Sequence, residues 1–132
     1  MSARILIVED EMLVAIELES VLTDLGYTVA GIAPDLQAAY AYFDDHIDLA
    51  LVDLNLRDGL TGPQIGAQLS EKGVTVLFVT ANPRLLGNGI AGAIGVITKP
   101  TDEEMVRSAV DYALAVRGGR AVEAPPHLRL FG

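Results

Sequence analysis

The chain has 132 residues, 51% of them hydrophobic, and carries 18 Asp+Glu against 9 Lys+Arg for a formal charge of −9. That length suits one domain with a real core, and the apolar share argues against disorder. The acid excess argues against a DNA- or RNA-binding surface and against docking on an anionic membrane, and the absence of cysteine removes disulfides, zinc-thiolate sites and thiol nucleophiles. No apolar run approaches the ~20 residues of a membrane span, and the N-terminus is too short for a signal peptide, so a cytoplasmic domain is expected. Acids dominate residues 1–116, whereas residues 117–132 hold Arg117, Arg120 and Arg129 against Glu123.

In chain order, five short β-rich runs stand out: Arg4–Val8, Tyr27–Ile32, Ile47–Val52, Val74–Val79 and Ala93–Ile97. Ile5–Val8 and Val76–Val79 are continuously apolar, as strands buried on both faces are. Between the runs lie stretches with apolar residues at helical spacing: Glu11–Leu25, Asp35–Phe43, Pro63–Glu71 and Asp102–Arg117. Alternation of strand and helix predicts an α/β fold whose parallel sheet is covered on both faces. Pro63 and Pro83 suit first helical positions, with Asn82 a cap for the second. Thr101-Asp-Glu-Glu104 has capping-box spacing, which predicts a last helix starting directly after Lys99-Pro100. The helix after Asn82 is expected to be short and labile, because Gly87, Gly89 and Gly92 each cost about 1 kcal/mol relative to Ala in a helix interior.

Ligands of an open parallel sheet bind beyond the carboxyl ends of its strands. Those ends carry Glu9-Asp10-Glu11 after the first strand, Asp53 at the third, Thr80-Ala81 after the fourth and Lys99-Pro100 after the fifth. If the first and third strands are neighbours, Glu9, Asp10 and Asp53 converge, and their mutual repulsion demands a cation. An all-oxygen donor set prefers a hard divalent ion, Mg²⁺ or Mn²⁺. Such a site suits phosphoryl transfer, with Asp53 as nucleophile, Thr80 supplying a hydroxyl and Lys99 an ammonium. The bland readings are an acidic helix start favoured by the macrodipole for Glu9-Asp10-Glu11, a turn acid for Asp53, and a surface lysine for Lys99. His46 and His127 are expected to face solvent.

Four segments, Ile-Leu-Ile-Val-Glu9-Asp10-Glu11, Leu-Val-Asp53-Leu-Asn-Leu, Phe-Val-Thr80-Ala81 and Ile-Thr-Lys99-Pro100, together resemble the receiver domains of two-component response regulators over residues 3 to about 117. The resemblance implies a flavodoxin-like (βα)5 fold, a doubly wound five-stranded sheet in the order 2-1-3-4-5. It implies phosphorylation of Asp53 by a histidine kinase or phosphotransfer protein. Direct Mg²⁺ contact would come from Asp10, Asp53 and the backbone carbonyl of Asn55, with Glu9 acting mainly through water. Lys99 would bridge Asp53 and the phosphoryl group, Thr80 would move inward on phosphorylation, and Asn55, Ala81 and Asn82 would tune access to the site. Val96 stands where chemotaxis-type receivers carry an aromatic switch, so ring rotation cannot be the readout, and the Gly-rich Leu85–Gly92 segment is expected to pass the signal. Thr101 stands where many receivers have Phe. The composition around Glu-Asp-Glu-x-Leu-Val-Ala is similar to receivers associated with HWE-type kinases.

The expected organisation is a phosphoacceptor domain over 1–117 and a tail or linker over 118–132. A stand-alone receiver without a DNA-binding or catalytic output domain is the expectation, with the alternative that the Gly-Gly to Pro-Pro stretch serves as a linker in a longer regulator or hybrid kinase. Two apolar stripes on the last helix, Met105/Ala109/Tyr112/Val116 and Val106/Val110/Leu114, exceed what a sheet-covering helix needs, so the second is either spread-out core or a surface for a homodimer or another protein target. The tail's Leu128, Leu130 and Phe131 either dock there or form a floppy end. The rival reading is a receiver-like adaptor that is never phosphorylated. A haloacid-dehalogenase-type phosphatase is rejected, since Asn55 replaces its second Asp and the motif ends the third strand rather than the first. Nucleotide binding is rejected for want of a Gly-rich fingerprint after the first strand.

Overall fold

The computed structural model describes residues 2–131. The five apolar runs form β1 (Arg4–Val8), β2 (Thr28–Ala33), β3 (Leu49–Val52), β4 (Thr75–Thr80) and β5 (Ala93–Thr98), parallel and ordered β2-β1-β3-β4-β5. Successive residues of β1, β3 and β4 alternate between two cores. Leu6, Val8, Ala50, Val52, Val76 and Phe78 lie on one face with Ile65 and Leu69 of α3 (Gly62–Glu71). Ile5, Ile7, Leu49, Leu51, Leu77 and Val79 lie on the other. That second core is closed by Ala15, Leu18 and Leu22 of α1 (Met12–Asp24) and by Val106, Ala109, Val110 and Ala113 of the last helix (Glu103–Arg117). Each interior strand therefore buries both faces, which is why its sequence reads as a continuous apolar run.

The expectation of five strands needs one correction. A sixth, β6 (Leu128–Leu130), pairs antiparallel with β5, placing Leu128 opposite Ile97 and Leu130 opposite Gly95. Without it β5 would end the sheet with a row of unpaired N–H and C=O groups. Leu128 is buried in the second core. Residues 128–130 are thus neither floppy nor laid on the outer stripe of the last helix. The helix itself buries residues from both predicted stripes, leaving Met105, Tyr112 and Leu114 half-buried and Val116 exposed. His46 is exposed, but His127 is half-buried, with Nε2 sealed from solvent and lacking a hydrogen-bond partner.

Helix ends follow local chemistry. α2 is short (Leu36–Tyr40), capped by Asp35, whose carboxylate accepts from the Ala38 amide at 2.9 Å. The last helix, α4, is capped by Asp102, accepting from the Met105 amide at 2.8 Å, and not by Thr101. Glu103 and Glu104 in its first turn and Arg117 in its last suit the macrodipole. After β4 there is only a 3₁₀ turn, Pro83–Leu86. Gly87, Gly89 and Gly92 all take positive φ, which stops any right-handed continuation. Among the described residues no helix is long and apolar enough to cross a membrane.

Candidate functional site

Parallel neighbours β1 and β3 bring Val8 level with Val52, so the residues that follow, Glu9-Asp10 and Asp53, leave the sheet side by side. Carboxylate oxygens of Glu9, Asp10 and Asp53 lie within 4.8 Å of one another. Glu9 and Asp53 are buried, at 2% and 7% exposure. β4 places Thr80 level with Thr98 of β5, and the Lys99 amide donates to the Thr80 carbonyl at 2.9 Å. From there the Lys99 ammonium donates to Glu9 Oε1 at 2.6 Å and to Asp53 Oδ2 at 2.8 Å. The other Asp53 oxygen, Oδ1, accepts from the Leu54 amide at 2.7 Å. Both oxygens of Asp53 are thereby oriented.

Charge at this site is held under tension. Burial pushes the Glu9 carboxyl up to about 7 from 4.5; the Lys99 hydrogen bond opposes that rise and the Asp53 charge adds to it. Burial also disfavours the Lys99 ammonium, but hydrogen bonds and charge from Asp53 and Glu9 override it and raise its pKa. One ammonium thus pairs with Glu9 and Asp53, with Glu11 Oε1 a third acceptor at 3.4 Å, while the Asp10 carboxylate clusters beside them. The donors are all carboxylate oxygens, with no His or Cys among them, so they can hold a hard divalent cation such as Mg²⁺.

Residues 5–111 match the family model of the response regulator receiver domain. The chain belongs to this family. It is 33% identical over 118 residues to the phyllosphere-induced regulator PhyR of Methylorubrum extorquens, covering 86% of this chain and 44% of that protein. It is 32% identical over 114 residues to the uncharacterized transcriptional regulatory protein YrkP of Bacillus subtilis, covering 83% and 48%. The receiver domain of the Erythrobacter litoralis PhyR response regulator superposes with a TM-score of 0.80 at 31% identity, covering 92% of this chain and 97% of that one. The chain spans less than half the length of the two curated relatives it matches.

Within this receiver, the sequence-predicted residues fall into two groups. Glu9, Asp10, Asp53 and Lys99 converge as described. Thr80 is fully buried at the same edge, but its hydroxyl accepts from the Asn82 amide at 3.1 Å, not from Lys99. Asn55, Ala81 and Asn82 are exposed on the loops after β3 and β4. Val96 is buried in the first core, where it packs rather than rotates. Two contributors have no role in the sequence reading. Glu11 joins the Lys99 network, and its place beside Glu9-Asp10 was the available signal. Gly62 opens α3 directly over the Asp53 backbone, and any Cβ there would collide with the Asp53 carbonyl oxygen. Nothing in the local sequence separates that glycine from an ordinary turn glycine.

Proposed function

We propose that this receiver is a phosphorylatable switch whose Asp53 accepts a phosphoryl group from a histidine kinase or phosphotransfer protein and signals onward by protein contact. The observation that carries the reading is the Lys99 ammonium shared between Asp53 and Glu9 beside the Asp10 carboxylate. An Asp53 oxygen forms the new bond to phosphorus as the phosphorus–nitrogen bond of a phosphohistidine breaks, and the electron pair leaves with the imidazole. Mg²⁺, held by Asp10, Asp53 and the Asn55 carbonyl with Glu9 behind them, would supply positive charge for the transferring group. Lys99 keeps its proton and lies within reach of both Asp53 and a phosphoryl group on it. Thr80 offers a hydroxyl donor once it turns from Asn82. The residues do no chemistry on a separate substrate, only on the protein's own phosphorylation and dephosphorylation.

Met12, Leu13 and Ile16 support the partner assignment. They are exposed apolar residues at helical spacing on the first turns of α1, directly after the acidic cluster, and Leu13 is 80% exposed. A donor helix seated there would bring a histidine to Asp53. The reading includes a cytoplasmic location, a phosphoacceptor unit over 1–117 and an appended segment over 118–132. The rest of the longer relatives is not matched, so the downstream target is proposed only as a protein. Incubation with Mg²⁺ and a small phosphodonor, followed by intact mass, tests the reading. One phosphoryl group on the wild type and none on Asp53→Asn is expected; no gain, or an equal gain in the variant, overturns it in favour of an unphosphorylated adaptor.

A further inference from the structure

Arg129, the middle residue of β6, reaches back across the sheet edge. Its Nη1 donates to the Gly87 carbonyl at 3.0 Å and its Nη2 to the Pro83 carbonyl at 3.2 Å, bracketing the 3₁₀ turn after β4. The guanidinium also lies 5.6 Å from the ring centroid of Phe131. The Phe131 amide donates to the Ile94 carbonyl at 3.0 Å, and its ring packs on Phe78 with centroids 6.3 Å apart. Gly89 crosses the same ring so closely that a Cβ would lie 2.5 Å from Phe131 Cγ, and a Cβ on Gly95 would collide with the Arg129 carbonyl oxygen. Both glycines are therefore shaped to the docked tail.

The opposite end of this connection is tied to the phosphoacceptor site. Thr80 Oγ1 accepts from the Asn82 amide, and Asn82 precedes Pro83. One hydrogen bond and one peptide link thus separate the Thr80 hydroxyl from the turn that Arg129 grips.

We propose that β6, Arg129 and Phe131 form a clasp that holds the β4–β5 connection in its unphosphorylated arrangement, and that phosphorylation of Asp53 releases it. This rests on the phosphoacceptor reading above. A Thr80 hydroxyl that turns to donate to a phosphoryl oxygen gives up the Asn82 amide; Pro83 shifts, and Arg129 loses its acceptors. A three-residue edge strand with two exposed members sits at the low-stability end of the fold, where such release is cheap. Coupling of this kind is reciprocal, so the docked clasp must also oppose phosphorylation.

Two measurements on the full chain test it. Amide exchange at Phe131 is compared with and without Mg²⁺ and beryllofluoride, and the affinity for beryllofluoride in Mg²⁺ is titrated for wild type, Arg129→Ala and Gly95→Ala, with uptake from a small phosphodonor read by intact mass. The expected results are faster exchange at Phe131 with the phosphoryl mimic and beryllofluoride binding tightened by roughly fivefold or more in both variants, the low end of ordinary site coupling. If wild type takes up phosphate but Phe131 protection is unchanged and both variants match it, the clasp is wrong while the phosphoacceptor reading stands. If wild type takes up none, both fall. Arg129→Ala leaves the core intact and decides the question should Gly95→Ala fail to fold.

Discussion

Lys99 and Asp53, 46 residues apart in sequence, meet with the ammonium 2.8 Å from Oδ2 at the carboxyl edge of the sheet. The lysine is 13% exposed and the aspartate 8% as side chains, so the pair is largely removed from water. With Glu9 at 2.6 Å on the same ammonium, Lys99 is the counter-charge of the cluster.

Removing that counter-charge should be costly. Lys99→Met leaves clustered, buried carboxyl groups without their cation and is expected to destabilise the protein by about 3 kcal/mol at pH 8 without metal, the usual scale for breaking a buried pair. Adding Mg²⁺ should restore part of the loss. Chemical denaturation with and without Mg²⁺ measures both effects; an unchanged midpoint would refute the role.

Glu9 predicts a pH dependence of definite sign. Its folded pKa of about 7 lies above the 4.5 of the free group, so the folded state binds more protons between those values. This contribution to stability is fully present below pH 4.5 and is lost as pH rises through 7. Glu9→Gln should therefore stabilise the metal-free protein at pH 8 by about 1–3 kcal/mol and flatten its stability profile. Mg²⁺ must displace the same proton, so its calorimetric affinity for wild type should tighten as pH rises through 7.

Thr80→Val should separate phosphorylation from its consequence. The Asn82 amide loses its acceptor, costing about 1 kcal/mol, while Asp53 and Lys99 are untouched. Phosphate uptake is expected to persist, but amide exchange over residues 85–92 should no longer respond to beryllofluoride. A response equal to that of wild type would remove Thr80 from the signal route.

Leu13→Asp should leave stability and uptake from a small phosphodonor unchanged, because the side chain is almost wholly exposed. Transfer from a phosphorylated kinase or phosphotransfer protein that serves the wild type should fall by about tenfold, equivalent to some 1.4 kcal/mol of docking energy. Equal loss with both donors would place the defect in the site instead.

Much of this was legible in the sequence because strand ends, not distant loops, carry the chemistry. Asp53, Thr80 and Lys99 each follow or end an apolar run, so identifying the run locates the residue. The segment after β4 was legible too, since three glycines rule out a stable helix. β6 was not: Leu-Arg-Leu has too few residues to show a period, and its stability comes from β5, Phe78 and the Gly87 and Pro83 carbonyls, partners some 30–50 positions away. The Thr80–Asn82 hydrogen bond was equally hidden, because a hydroxyl at a strand end can turn to either side.

The two-core alternation of the strands sets the phase of the site. Ile7, Leu51 and Ile97 face the α1–α4 layer, and Glu9, Asp53 and Lys99 each follow one of them by two positions. Phe78 faces the α2–α3 layer, and Thr80 follows it by two. Acids and ammonium therefore lean over the sheet edge from one layer and the hydroxyl from the other. Adding or deleting a single residue within β1, β3 or β5 would invert that parity and turn Glu9, Asp53 or Lys99 toward the wrong layer, whereas the loops beyond the strands can change length without disturbing it.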